Sequence, residues 1–221
     1  MRILPIVLTV LLSGSAVLQG QTRDENWKRC GGSDPDGAIE ACSALIQSGR
    51  DTGINLAAVF YDRGLAHAHK GDYDLAVEDY DQAIRLNASL ANAFDARGVA
   101  YAHRRDYDHA IQDFDQALRL NPSLAEAYFS RGLTFRYKGD NDRAVEDFNQ
   151  ALLVNPNNAE VHYSRGRAYA TKRDNDLAIQ DCDQALRIDP TMLLHSSCGA
   201  MPTSQSTTTT APSRTLIAPS N

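Results

Sequence analysis

The fold this sequence predicts is an all-α solenoid of helix-turn-helix hairpins, and three observations predict it. Arg-Gly recurs at Arg63-Gly64, Arg97-Gly98, Arg131-Gly132 and Arg165-Gly166, each pair 34 residues after the last. Other columns keep that register: Ala76, Ala110, Ala144 and Ala178, then Ala83, Ala117, Ala151 and Ala185, then Gln82, Gln116, Gln150 and Gln184. Within each period two stretches carry apolar residues at three-and-four spacing, the signature of two amphipathic helices. A fixed period of this length means supersecondary units stacked on one another rather than one globular core. Four units follow by period, 57–90, 91–124, 125–158 and 159–192.

Residues 1–20 are a separate element. Arg2 forms a minimal positive region, Ile3 to Leu12 is an apolar run interrupted by Pro5 and Thr9, and the small residues Ser13, Gly14, Ser15 and Ala16 follow. This pattern reads as a secretory signal peptide. The run is short of the roughly 20 residues that a membrane span needs. No integral membrane segment is expected once the signal is removed, and the expected location is periplasmic or secreted; an uncleaved anchor is the alternative.

Residues 21–56 are expected to cap the array. Asp36 to Gly49 imitates a second helix, with Ala38, Cys42 and Leu45 at the spacing of Ala76, Tyr80 and Ala83. In place of a Gly-bearing first helix stand Trp27, Cys30 and Gly31-Gly32-Ser33, so the segment reads as a half repeat with Trp27 packed on its helix. In an oxidising compartment Cys30 and Cys42 are a candidate disulfide pinning a loop to that helix, worth about 2–3 kcal/mol. The alternative makes Cys42 a small buried apolar residue.

Inside the repeats, Gly71-Asp72, Arg105-Asp106, Gly139-Asp140 and Arg173-Asp174 separate the two helices, with each Asp placed to accept from the first free amides of the next helix. Pro122, Pro156 and Pro190 follow the second helices and are expected to end them. A mid-helix Gly costs about 1 kcal/mol relative to Ala, so glycine in every first helix calls for close helix packing as compensation. Rings at Phe60, Phe94 and Tyr128 and at Tyr101, Phe135 and Tyr169 fill the remaining space.

At these residues the sequence resembles the tetratricopeptide repeat family, whose pattern matches as Phe94, Gly98, Tyr101, Ala110, Phe114, Ala117 and Pro122. The register holds from Ala57 to Pro190. Arg stands for the usual Leu before each Gly, His67, His162 and Cys182 replace aromatics, and Ala88 replaces the first Pro. The resemblance implies a right-handed α-solenoid whose first helices line a concave face. A signal followed by a cysteine-bearing segment and such repeats also looks like a group of exported bacterial proteins.

Each Arg has Asp sixteen residues later, Asp79, Asp113, Asp147 and Asp181. The pairs Arg63–Asp79, Arg97–Asp113, Arg131–Asp147 and Arg165–Asp181 are expected to be semi-buried ion pairs between the helices of a hairpin. Cys182 is expected as a core cysteine, with pairing to Cys198 the weaker reading. After Pro190 the period stops, and residues 191–221 read as a disordered Ser/Thr/Pro-rich tail. Met192, Leu193 and Leu194 are placed to cover part of the last hairpin.

For function, 43% hydrophobic and 23% charged residues describe an ordinary soluble body, and a formal charge of -6 opposes a nucleic-acid partner. The six histidines sit in no metal-ligand spacing, and neither Cys-x-x-Cys nor a phosphate-cradling loop is present. No catalytic residues, metal or cofactor are therefore expected. The expected role is non-enzymatic: a scaffold that holds a peptide or partner protein. The groove residues would be Tyr61, Leu65, His69, Asn92, Asp95, Val99, His103, Phe129, Leu133, Arg136, Tyr137, Glu160, Tyr163 and Arg167. Chaperone-binding members of the family use a cationic clamp, which Asp62, Asp95, Ala96, Glu126 and Ser130 cannot supply. Rival roles are self-association in an envelope assembly through the uncapped C-terminal end, and a non-catalytic subunit of an exported enzyme.

Overall fold

A computed structural model of the chain describes residues 22–194, and the elements assigned among them are all helical. The expected signal at 1–20 and residues 195–221 lie outside the described residues. The helices are α1 (Arg23–Cys30), α2 (Pro35–Ser48), α3 (Gly53–Lys70), α4 (Tyr73–Leu86), α5 (Ala91–His103), α6 (Tyr107–Leu120), α7 (Ala125–Tyr137), α8 (Asn141–Val154), α9 (Ala159–Lys172) and α10 (Asn175–Ile188). A single 3-10 turn, Pro190–Leu194, follows where the irregular tail was expected to begin, and it packs on α10. The chain divides after Ser130 into two compact units. In the first, each helix from α1 to α6 packs on the next in sequence; in the second, α8 packs on α9 and α9 on α10.

The capping segment is more regular than the sequence reading allows. Trp27 and Cys30 belong to α1, whose start is set by a capping box. Thr22 Oγ1 accepts from the Glu25 amide at 3.2 Å, and the Glu25 carboxylate accepts from the Thr22 amide at 2.8 Å. A disulfide joins Cys30 at the end of α1 to Cys42 in α2, so two helices are tied rather than a loop and a helix. Both sulfurs sit in a buried cluster with Ala41, Leu45 and Val59, against which Trp27 and Ile46 pack.

The hairpins turn through one left-handed residue, Gly71 (φ 82°), Arg105 (φ 61°), Gly139 (φ 86°) or Arg173 (φ 68°). The next residue caps the second helix only in part. Asp106 and Asp140 accept from the His109 and Arg143 amides at 3.4 and 3.1 Å, whereas Asp72 and Asp174 form no such bond. Helix ends follow a rule that proline alone does not explain. The Oδ1 atoms of Asn87, Asn121 and Asp189 accept from the amides of Ser89, Ser123 and Thr191 at 3.2, 3.2 and 2.9 Å. This side-chain turn ends α4 in the same column although Ala88 stands in place of Pro.

The glycine columns are where the two helices of a hairpin meet. A Cβ on Gly64, Gly98 or Gly132 would lie 2.6, 2.8 or 2.7 Å from the ring of Tyr80, Phe114 or Phe148. These rings are among the most buried side chains of the protein. The fourth unit is looser: Cys182 replaces the ring, its Sγ would be 3.4 Å from a Cβ on Gly166, and the Ala178 carbonyl oxygen is nearest at 3.1 Å. Cys182 is buried, as expected of a core cysteine, and it is also disulfide-bonded; Cys198 lies outside the described residues.

This difference is measurable. Gly98→Ala gains helix propensity but displaces a buried ring, for an expected net loss of about 1–3 kcal/mol. Gly166→Ala meets no ring and is expected to cost markedly less. Urea unfolding of the two variants checks the ordering, and equal losses would contradict the ring-on-glycine account.

Candidate functional site

The arginine column is used up by the fold. From Nε and Nη2 each guanidinium donates to both oxygens of one carboxylate, at 2.9 and 2.6 Å for Arg63–Asp79 and 2.8 and 2.6 Å for Arg97–Asp113. Arg131–Asp147 gives 2.8 and 2.6 Å, and Arg165–Asp181 gives 2.7 Å twice. All four aspartates are buried. The third nitrogen, Nη1, reaches back to the preceding second helix: Arg63 to Ser43 at 3.1 Å, Arg97 to Asp81, and Arg165 to Asn149 at 2.6 Å. Burial by itself would discharge Arg97, but the Asp113 hydrogen bond and charge, followed by those of Asp81, outweigh it and hold the group above its ordinary range. Rings of Phe60 and Phe94 lie 5.5 Å from the guanidinium carbons of Arg63 and Arg97.

The sequence reading identified the aspartate sixteen residues ahead and missed the partner behind. Its signal is a run of polar residues after the ring column, Ser43, Asp81, Asp115 and Asn149. A second recurring pair also escaped notice: Lys70 meets Asp36 at 2.5 Å, Arg104 meets Asp74 at 3.0 Å and Lys172 meets Asp142 at 2.5 Å. These bonds are exposed and add little to stability.

In the first unit the expected groove residues lie on α3 and α5, with Phe129 at the start of α7. Tyr61 and Leu65 are half-buried and pack on the Ala76, Val77, Tyr80 and Ala100 cluster, so they join adjacent repeats as well as facing outward. His103 stacks on Tyr73 with ring centres 4.4 Å apart. His69 and Asn92 are exposed, and Val99 and Phe129 are half-buried. Asp95 is the odd member. Its Oδ1 is shielded from solvent without a hydrogen-bond partner. Burial first, and the Glu126 charge second, push its carboxyl from 3.8 up to about 7. Burial also raises Asp62, and it raises Tyr61 with help from the Asp95 and Asp62 charges. His69 and His103 bring no metal site: among the described residues no group of three His, Cys, Asp or Glu side chains is placed to hold an ion.

The face of the second unit has the opposite charge. Arg136 lies over the Tyr137 ring at 5.0 Å and Arg167 over the Tyr163 ring at 5.7 Å. Leu133 is half-buried, while Tyr137 and Glu160 are exposed. Beside Tyr163 opens a cavity of about 550 Å³ whose walls include Asn155, Asn158, Glu160, Ile188 and Met192. Met192 thus covers part of the last hairpin from the 3-10 turn. Among the described residues no helix is long and apolar enough to cross a membrane.

Comparison with known proteins agrees with the geometry. Tetratricopeptide repeat patterns match residues 57–90 and 96–124, and a second pattern of the same description matches 129–192, more than half of the chain together. Among solved structures, a crystal structure of MamA superposes with a TM-score of 0.66 at 24% identity, covering 79% of this chain and 98% of that one. MamA from residue 41 to its end, from Desulfovibrio magneticus RS-1, gives 0.67 at 19% identity, covering 76% and 93%. A search of curated proteins finds no match.

Asp95 makes stability depend on pH. Between 3.8 and about 7 the unfolded chain has lost the proton that the folded chain keeps. The group therefore withdraws stability as pH rises through that window, and none returns above it. Asp95→Asn should match the wild type near pH 4 and exceed it at pH 8 by up to roughly 4 kcal/mol. Urea unfolding across that range tests this; parallel profiles for the two proteins would contradict it.

Proposed function

The chain belongs to the tetratricopeptide repeat family, and on that premise we propose that it is an exported, non-catalytic scaffold whose first-helix faces hold a peptide or partner protein. Proteins of this family are interaction modules, and the role of scaffold follows from membership. The observation that carries the finer reading is the division of labour between columns. Arg63, Arg97, Arg131 and Arg165 are spent on buried aspartates, whereas the neighbouring positions of the same helices present half-buried rings and charges that the fold leaves partly open. Tyr61 in the first unit and Tyr163 in the second supply flat apolar area at small entropic cost, the kind of group on which interface energy concentrates.

Export is supported by Arg2, the apolar run Ile3 to Leu12 and the small residues after it, together with a disulfide between Cys30 and Cys42 that suits an oxidising compartment. Capture of partners from the exported fraction tests the whole reading. Wild type is compared with a Tyr61→Ala, Phe129→Ala, Tyr163→Ala triple variant whose helicity has been checked by circular dichroism. The wild type is expected to retain partners that the folded triple variant loses, and equal recovery would sink the reading.

A further inference from the structure

Two recurring columns of cations in this fold meet acids. The arginine column binds buried aspartates, and Lys70, Arg104 and Lys172 each meet an aspartate on the preceding repeat. Arg136 on α7 and Arg167 on α9 belong to neither column, and what sets Arg136 apart is its burial beside a like charge. The groups acting on Arg136 are Arg167, Tyr137 and Tyr163, with no carboxylate among them. Its Nε is shielded from solvent and has no hydrogen-bond acceptor. Glu160 lines the cavity beside Tyr163 and is not among the groups acting on Arg136. Burial first, and the Arg167 charge second, hold the Arg136 guanidinium below its ordinary range, the opposite of Arg97 and Arg165.

The repeat itself marks both residues as additions. The column of Arg136 otherwise holds Ala68, Ala102 and Ala170, and that of Arg167 holds Leu65, Val99 and Leu133. An array built on the period needs a small residue at the first position and an aliphatic one at the second. Two neighbouring like charges, one with an orphaned donor, weaken a fold unless something outside the chain completes them.

We propose that Arg136 and Arg167, flanked by the rings of Tyr137 and Tyr163, form an anion site that takes a glutamate or aspartate side chain from an acidic segment of a partner protein. The inference rests on the reading of the first-helix faces as the binding surface and adds the chemistry of one partner side chain. Charge complementarity selects the occupant. A carboxylate brings two acceptor oxygens in one plane, which a guanidinium fork matches. The rings limit water around that contact and supply apolar walls for the methylene groups of the acidic side chain. At Asp62 and Asp95 the first unit offers carboxyl groups rather than guanidinium groups, so an acidic segment finds its charge partners at Arg136 and Arg167.

The test uses the full chain and two fluorescein-labelled, terminally blocked decapeptides, one alternating Glu and Ala and the other Gln and Ala. The Glu peptide is expected to bind saturably, the Gln peptide about ten-fold or more weaker, and Arg136→Gln or Arg167→Gln to weaken the Glu peptide about five-fold or more. A thermal melt separates binding from support of the fold: Arg136→Gln should melt at or above the wild-type midpoint. Equal binding of the two peptides, or binding untouched by both substitutions, overturns the proposal, as does a lowered midpoint with binding intact. Displacement of the Glu peptide by inorganic phosphate where acetate has no effect would move the site to phosphate and overturn the carboxylate assignment. A concentration-dependent mass that Arg136→Gln abolishes would move it to a second copy of the chain. If the arginine variants still capture the wild-type partners while the triple tyrosine-phenylalanine variant does not, the anion site falls and the binding-face reading stands.

Discussion

The structure depends on a guanidinium that satisfies two helices at once. In Arg97 one edge of the fork holds Asp113 in its own hairpin and the third nitrogen holds Asp81 in the hairpin before. Arg63 and Arg165 repeat the arrangement with a hydroxyl and an amide in the backward position. Burying such a pair is costly, and a well-packed apolar pair of the same volume can be as stable. What the ionic version adds is geometry. A bidentate contact fixes the rotation of one helix about its neighbour, while the glycine beside it lets the buried ring of the second helix set the distance. A stack with neighbour-only contacts has no long-range core to correct an error, so each junction must be specified locally.

Much of this was legible in the sequence because repetition turns a contact into a column. The second helices, the close helix approach at each glycine and the aspartate sixteen residues after each arginine all stand out at a period of 34, whereas the ring that meets each glycine was not singled out. The unread parts share a physical reason. The backward contact of Nη1 crosses from one repeat to the next, so it depends on how far apart successive hairpins pack and not on spacing within one unit. Helix α1 is eight residues long, too short for an apolar stripe, and only the Thr22 to Glu25 capping box announced it. The ends of α4, α6 and α10 lie in Asn87, Asn121 and Asp189 side chains, where proline drew attention away from the residue before it.

The candidate site was legible in outline only. Choosing one helical face could not separate residues that join repeats from residues left open. Tyr61, Leu65 and His103 do the first task in whole or part. Arg136 and Arg167 sit where their columns break, and a reading tuned to what recurs passes over what occurs once. The same logic runs through Asp95, which stands in the column that holds Tyr61, Phe129 and Tyr163 in the other repeats. In a repeat protein the period encodes architecture, and the departures from it carry the chemistry that one array has and another lacks.

The central claim is that Arg97 couples both to its own hairpin and to the one before. Double-mutant cycles in urea unfolding address it directly, pairing Arg97→Leu with Asp113→Leu and, separately, with Asp81→Ala. The account predicts a coupling of about 1–3 kcal/mol for Arg97 with buried Asp113 and a smaller one, about 0.5–1 kcal/mol, with the more exposed Asp81. Additive effects in both cycles would contradict it.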